Sequence, residues 1–163
     1  MAGKDAGNLM IPEKVRRVLE AHQLQALEFE PGSTPTSADA AHRIGVAVGQ
    51  IAKSMLLKAK TGRFYLVLCP GDKRICSKKA RLAIGSRVRM AQGEETEQIT
   101  GFKPGGVCPF GVEDIEVLID RGLMQYDTIY PAAGNDASGV PVSFEQLRTI
   151  TNARVVDLMR ENE

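Results

Sequence analysis

The sequence is poor in the residues that most often carry metal, redox or covalent chemistry. It has two histidines, His22 and His42, and neither stands at ligand spacing from a cysteine or from the other, which argues against a structural zinc site. Its three cysteines, Cys69, Cys76 and Cys108, are odd in number and form no CxxC pair. No signal-like apolar segment precedes them, so a reducing cytoplasm is the expected compartment. No apolar run approaches the roughly 20 residues of a membrane span, and no membrane partner is expected. GxGxxG, P-loop and GxSxG motifs are absent, as are internal repeats, which removes the usual signs of dinucleotide binding, Walker-type phosphate binding, serine hydrolysis and solenoid architecture.

What is present suits a globular protein with a real core. The 163 residues are 43% hydrophobic and 25% charged, and they read as one domain over 1–163. The formal net charge of +1 conceals a segregation. Residues 53–89 hold eleven basic residues against Asp72 alone, whereas residues 90–163 hold five basic and thirteen acidic ones. A basic stretch of this kind is either a solvated face or the footprint of phosphate-backbone binding. Phe64 and Tyr65 are its only aromatics, so electrostatic docking fits better than base stacking.

Pro12 suits the first turn of a helix, with Val15, Val18, Leu19 and His22 on one face. Residues 26–30 read as a short strand ended by Pro31-Gly32. Thr36 and Asp39 stand at capping-box spacing before a stripe of Ala40, Ala41, Ile44 and Val48. Residues 51–59 and 63–69 are strand-like on either side of the turn at 60–62. Short helices are expected at 78–84, 94–100 and 144–149, the last capped by Ser143 with Gln146. Short strands are expected at 87–91, 117–119, 128–132, 140–142 and 155–158. This mixture predicts an α+β fold, a curled mixed sheet or barrel with short helices packed outside.

Four constellations could carry chemistry. Lys53 lies in an apolar strand and shares a strand face with Ile51, Met55 and Leu57. It either reaches a pocket, where its charge finds a partner, or stays on solvent at a strand covered on both faces. The stretch 101–111, GFKPGGVCPFG, has six Gly or Pro in eleven residues. It could aim backbone amides at an oxyanion, although an ordinary strand connection is equally rich in Gly and Pro. The loop Gly134-Asn135-Asp136 could project into a site or serve as a solvated turn. Cys108 lacks a nearby base in sequence, which speaks against covalent catalysis. The basic middle is the fourth.

Taken in order, these segments resemble the YbaK/ProX-type aminoacyl-tRNA deacylase family, freestanding relatives of the editing domain of bacterial prolyl-tRNA synthetase. The resemblance rests on Thr36-Ser37-Ala38-Asp39-Ala40-Ala41, on the strand Gln50-Ile51-Ala52-Lys53-Ser54-Met55-Leu56, on Gly105-Gly106-Val107-Cys108-Pro109-Phe110-Gly111, and on residues 129–147. It implies hydrolysis of the ester between a wrong amino acid, a small one such as Cys, Ala or Ser, and the 3′ end of a tRNA such as tRNA-Pro. Lys53 would hold the terminal nucleotide or aminoacyl group, and amides around Gly101, Gly105 and Gly106 would grip the carbonyl. A water helped by the substrate's ribose hydroxyl would attack, with no cofactor and no metal.

The resemblance further assigns Phe29, Ser54, Cys108, Pro109, Phe110, Gly111, Gly134, Asn135 and Asp136 to the substrate pocket. Ser54 stands where relatives often carry Thr or Asn, and Phe29 where some carry Tyr. Lys73, Arg74, Lys78 and Lys79 become the expected tRNA-docking residues. Aminoacyl-tRNA is the implied partner, with an aminoacyl-tRNA synthetase a further one. With no synthetase region attached, editing would occur in trans. A non-catalytic tRNA- or synthetase-binding module of the same fold, and a hydrolase of other small esters, are the alternative readings.

Overall fold

A strand whose side chains are apolar on both faces must lie between two packed layers. Residues 64–70, FYLVLCP, are such a strand, and in the computed structural model, which describes residues 11–161, all of them but Phe64 are buried. The elements in chain order are α1 (Glu13–Ala21), β1 (Leu27–Glu28), α2 (Ser37–Ile44), β2 (Ala52–Ala59), β3 (Phe64–Pro70), α3 (Ser77–Ile84), β4 (Val88–Met90), α4 (Gly93–Thr100), β5 (Glu116–Asp120), β6 (Ser138–Gly139), α5 (Phe144–Thr151) and β7 (Arg154–Val156). Single 3-10 turns cover Val48–Gln50 and Arg121–Gln125.

The main sheet runs β4-β2-β3-β5-β7. β3 is antiparallel to β2 and parallel to β5, β4 is antiparallel to β2, and β7 is parallel to β5. The fold is therefore α+β with a mixed sheet, as expected. The sheet is open, with β4 and β7 at its edges, rather than closed into a barrel. The period of two sorts its side chains cleanly. Ala52, Leu66, Leu68, Val117 and Ile119 pack on one face with Val15 and Leu19 of α1, Phe102, Phe110 and Leu147. Leu57, Ala59, Tyr65, Val67, Cys69 and Leu118 pack on the other with Ala80 of α3, Leu158 and Met159.

Local chemistry places the ends of these elements. Thr36 caps α2, its Oγ1 accepting from Asp39 N at 3.1 Å. Gly45, at φ 89°, terminates the helix. Val48 therefore falls in the following 3-10 turn and not on the α2 stripe where the periodicity put it. Ser143 and Gln146 cap α5 reciprocally, at 3.1 and 2.9 Å. The expected strands at 128–132 and 140–142 shrink to bridges, Ile51 with Tyr130 and Ile129 with Val142. Pro131 and Pro141 supply no N–H to a ladder, which explains the loss. The last strand begins at Arg154 and ends at Val156, because the Leu158 amide is taken by the Asp120 carboxylate at 2.8 Å. Among the described residues, no helix is long and apolar enough to cross a membrane.

Candidate active site

Four segments distant in sequence meet at the start of β2. Residues 34–37, leading into α2, face residues 51–55 across a cavity of about 270 Å³. Ala40 and Ile44 of α2, Gly105 and Val107 of the Gly/Pro loop, and Tyr130, Ala132 and Ser138 complete its wall. Among the described residues, six of the lining residues carry hydroxyls (Thr34, Thr36, Ser37, Ser54, Tyr130, Ser138), Lys53 supplies the single charge, and no Asp, Glu or His takes part. The volume sits just below the range of about 300–1,000 Å³ typical of drug-sized ligands and suits a small acyl group.

The free edge of β2 shapes this cavity. β4 pairs with β2 only at Leu57–Ala59, so residues 53–55 have no strand on that side. In the antiparallel ladder with β3, odd and even residues of β2 turn their backbone groups to opposite edges. Lys58 pairs with Arg89 and Lys60 N donates to Arg87 O on the outer edge, which puts Ser54 N–H and C=O on that edge as well.

Lys53 is half-buried, and its Nζ donates to the Lys73 carbonyl at 2.6 Å. That bond holds the ammonium at the cavity, and among the described residues no carboxylate lies within ion-pair distance to neutralise it. Across the ladder from Lys53 lies Cys69, whose thiol burial pushes up to about 12, so that it stays protonated beside the ammonium. Ser54 Oγ is buried and, among the described residues, is the one buried side-chain polar atom with no hydrogen-bond partner. A hydroxyl left in that state costs stability unless something else satisfies it.

The remaining candidates fall into distinct places. Gly105, at φ 90°, is on the cavity wall. Gly101 is the C-cap of α4 and its N–H donates to Glu97 O, while Gly106 N donates to Lys103 O. Both amides are thus engaged within their own turns. Cys108, Pro109 and Phe110 are buried, with Cys108 and Phe110 in the apolar core. Burial pushes the Cys108 thiol up to about 12, which leaves it unreactive as a nucleophile. Gly111 and Gly134 pack against Lys14 and against Pro12 and Phe102 respectively. Phe29 lies beneath the Arg43 guanidinium, 4.5 Å from ring centroid to charge, outside the cavity lining.

Asn135 and Asp136 act on the wall from behind. Asn135 Oδ1 accepts from Ser138 Oγ at 2.7 Å and from Ala137 N at 3.0 Å. The Asp136 carboxylate accepts from Gly32 N, and its carbonyl accepts from Thr34 N. Thr34 Oγ1 in turn accepts from Ser138 N at 3.2 Å. These bonds lock residues 32–34 to residues 135–138 and fix the direction of the hydroxyls. Thr34, Ser37, Met55, Tyr130 and Ser138 were not assigned to the site from the sequence. Thr34 and Ser138 are bonded across 104 residues, and no local spacing signals such a pairing.

Comparisons with known proteins agree on one family. Residues 31–150 match the model of the aminoacyl-tRNA editing domain. A Bacillus subtilis protein, YwhH, described as uncharacterized, is 35% identical over 83% of this chain and 87% of its own length. The prolyl-tRNA editing protein ProX of Acetoanaerobium sticklandii is 28% identical over 65% of this chain and 69% of its own. The proline--tRNA ligase of Bacillus licheniformis is 33% identical over 71% of this chain, which spans 21% of that enzyme. A crystal structure described as a candidate trans-editing enzyme for prolyl tRNA synthetase superposes with a TM-score of 0.82 at 33% identity, over 92% of this chain and 99% of that one. With its ordered motifs, its mixed sheet and the match across residues 31–150, this chain belongs to the aminoacyl-tRNA editing domain family, in its YbaK/ProX-type branch.

Proposed function

We propose that the protein is a trans-acting deacylase that hydrolyses the ester of a small amino acid wrongly attached to the 3′ end of a tRNA such as tRNA-Pro. One observation carries this reading: among the described residues, the cavity is lined by an ammonium and six hydroxyl-bearing residues but by no carboxylate or imidazole that could act as a general base. Chemistry in such a site can draw its base from the substrate, and aminoacyl-tRNA has a ribose hydroxyl next to the ester. In this scheme water oxygen attacks the ester carbonyl carbon, oriented by that hydroxyl. The bond from carbonyl carbon to ribose oxygen breaks, the ribose oxygen takes up one of the water's two protons, and the amino acid leaves as its carboxylate with the other proton released to solvent.

Lys53 and the Gly105 backbone stabilise the charge that builds on the carbonyl oxygen or hold the terminal nucleotide in line. Stabilisation of developing charge and orientation together supply much of the rate in such sites. Ser54, with its unpaired hydroxyl and outward-turned backbone groups, binds the aminoacyl portion. Asn135 and Asp136 position Ser138 and Thr34. Relatives named as prolyl-tRNA editing and proline--tRNA ligase proteins support prolyl-tRNA as the context.

The test is a deacylation panel with Cys-, Ala-, Ser- and Pro-charged tRNA beside short amino-acid esters. Cleavage of at least one charged tRNA, with short esters untouched, is the expected result. Tight tRNA binding without cleavage of any would mean a binding module instead, and equal cleavage of short esters would mean a general esterase.

A further inference from the structure

The cations of this protein divide into those held by carboxylates and those left without one. Arg17 is held by Glu13, Arg43 by Glu30, Arg148 by Glu145 and Arg154 by Glu116. Lys58 and Arg89 share Glu95, and Arg121 contacts Asp157. Lys79, expected from the sequence to dock tRNA, is engaged by Asp157, Glu161 and the Met159 carbonyl. Its charge is largely spent inside the fold.

Lys60, Lys78, Arg81 and Arg87 have no carboxylate within ion-pair distance among the described residues, and all four are exposed. They are also neighbours. Lys60 N donates to Arg87 O at 2.8 Å, which joins the end of β2 to the start of β4. Lys78 and Arg81 stand three apart on α3, on one helix face. Arg87 lines two surface depressions, one with Lys58 and Lys60, the other with Lys78 and Arg81. Neither depression contains an acidic or aromatic residue. Four unneutralised cations thus form one strip across α3, the edge strand β4 and the end of β2.

We infer that this strip docks the phosphodiester backbone of the tRNA substrate, a conclusion that rests on the deacylase reading of the cavity. An exposed row of cations that have no carboxylate partners of their own, beside a Lys58–Arg89 pair already neutralised by Glu95, binds phosphates by counterion release rather than by reading bases. Its position fits a nucleic acid whose 3′ end lies in the cavity. Ser54 on β2 and Lys60, the residue just after that strand, are six residues apart, about 20 Å at a strand rise of about 3.3 Å per residue. A short single-stranded 3′ end spans that distance and brings the first paired phosphates of the acceptor stem onto the strip. Lys78 was expected here from the sequence; Lys60, Arg81 and Arg87 were not.

The test uses the full chain with Lys60, Lys78 and Arg87 all changed to Gln, and Lys79→Gln as the control. Binding of uncharged tRNA is measured against salt, and hydrolysis is measured on charged tRNA and on a 3′-aminoacyl adenosine. Four phosphate contacts predict a log–log salt slope of about −3 to −4 for the wild type, falling by about 1 for each cation removed. The triple variant should bind tRNA at least tenfold more weakly and cleave the aminoacyl adenosine at the wild-type rate. The control should stay within about threefold in both. Unchanged tRNA binding in the triple variant, or an equal loss in Lys79→Gln, overturns the inference. If the wild type fails on aminoacyl adenosine and on every charged tRNA, the cavity reading fails, while the salt slopes still decide whether the strip binds RNA.

Discussion

Replacing Ser54 with alanine should move stability and activity in opposite directions. The Ser54 hydroxyl is buried and unpartnered on the cavity wall. A buried donor left unsatisfied costs about 1–3 kcal/mol, and Ser54→Ala removes that cost while giving up only the small contacts of one oxygen. A net stabilisation of about 1 kcal/mol follows, which raises Tm by about 2–4 °C for a domain of this size. If the same hydroxyl bonds the aminoacyl group, its loss removes a neutral hydrogen bond worth about 0.5–1.5 kcal/mol. That corresponds to a fall of about two- to thirteenfold in kcat/KM. The assays are thermal unfolding of the two proteins without substrate and initial rates on the charged tRNA that wild type cleaves best. A lowered Tm would show that the hydroxyl is satisfied in the native protein, and an unchanged kcat/KM would show that substrate does not use it. Either result refutes the reasoning. Opposed effects of this sort are the usual mark of a group kept for function at a cost in stability.

Three further outcomes are expected. Gly106→Ala should lower stability by about 1–3 kcal/mol and slow deacylation, since its new Cβ would lie 2.9 Å from Asn135 Cα and 3.1 Å from Gly134 O, both backbone atoms; wild-type stability in urea would contradict this. The Arg89 guanidinium and the Gln92 amide hold the Glu95 carboxyl down at about 2 from an ordinary 4.5. A depressed folded-state pKa contributes stability above the unfolded value that is lost as pH falls toward the folded one. Glu95→Gln should therefore flatten the acid limb of the stability curve between about pH 4.5 and 2, and an unchanged limb would count against the pairing. Brief alkylation of the native protein at pH 8 should label half-buried Cys76 and spare Cys69 and Cys108, whose thiols burial holds at about 12; labelled Cys108 in the peptide map would mean the Gly/Pro loop opens.

Elements with a local physical cause were legible in the sequence. The apolar run expected as a strand at 63–69 is the strand Phe64–Pro70, and α2 and α5 are announced by Thr36 and Ser143 as caps. Where the cause is long-range, sequence periodicity fails. The apolar pattern at 128–132 and 140–142 looks like strand, yet Pro131 and Pro141 break the ladder to isolated bridges. Leu158 looks like strand until the Asp120 carboxylate, 38 residues away, takes its amide. The same division runs through the site. Lys53 stands out because an ammonium in an apolar strand needs an explanation. Thr34 and Ser138 do not stand out, because their value lies in a contact across 104 residues. The Gly/Pro loop was expected to act as a whole, but Gly101 ends a helix and Cys108 and Phe110 fill the core, which leaves Gly105 and Val107 at the cavity.

The central claim, that Lys53 serves deacylation in this cavity, is tested most directly by single-turnover hydrolysis of a mischarged tRNA with wild type and Lys53→Ala. The Lys53 ammonium bonds the Lys73 carbonyl and has no carboxylate partner at the cavity, so its charge is available to the substrate. A charge-assisted contact of about 1.5–3 kcal/mol predicts a loss of about 10- to 150-fold in rate, with far-UV circular dichroism unchanged. Equal rates for the two proteins would contradict the account.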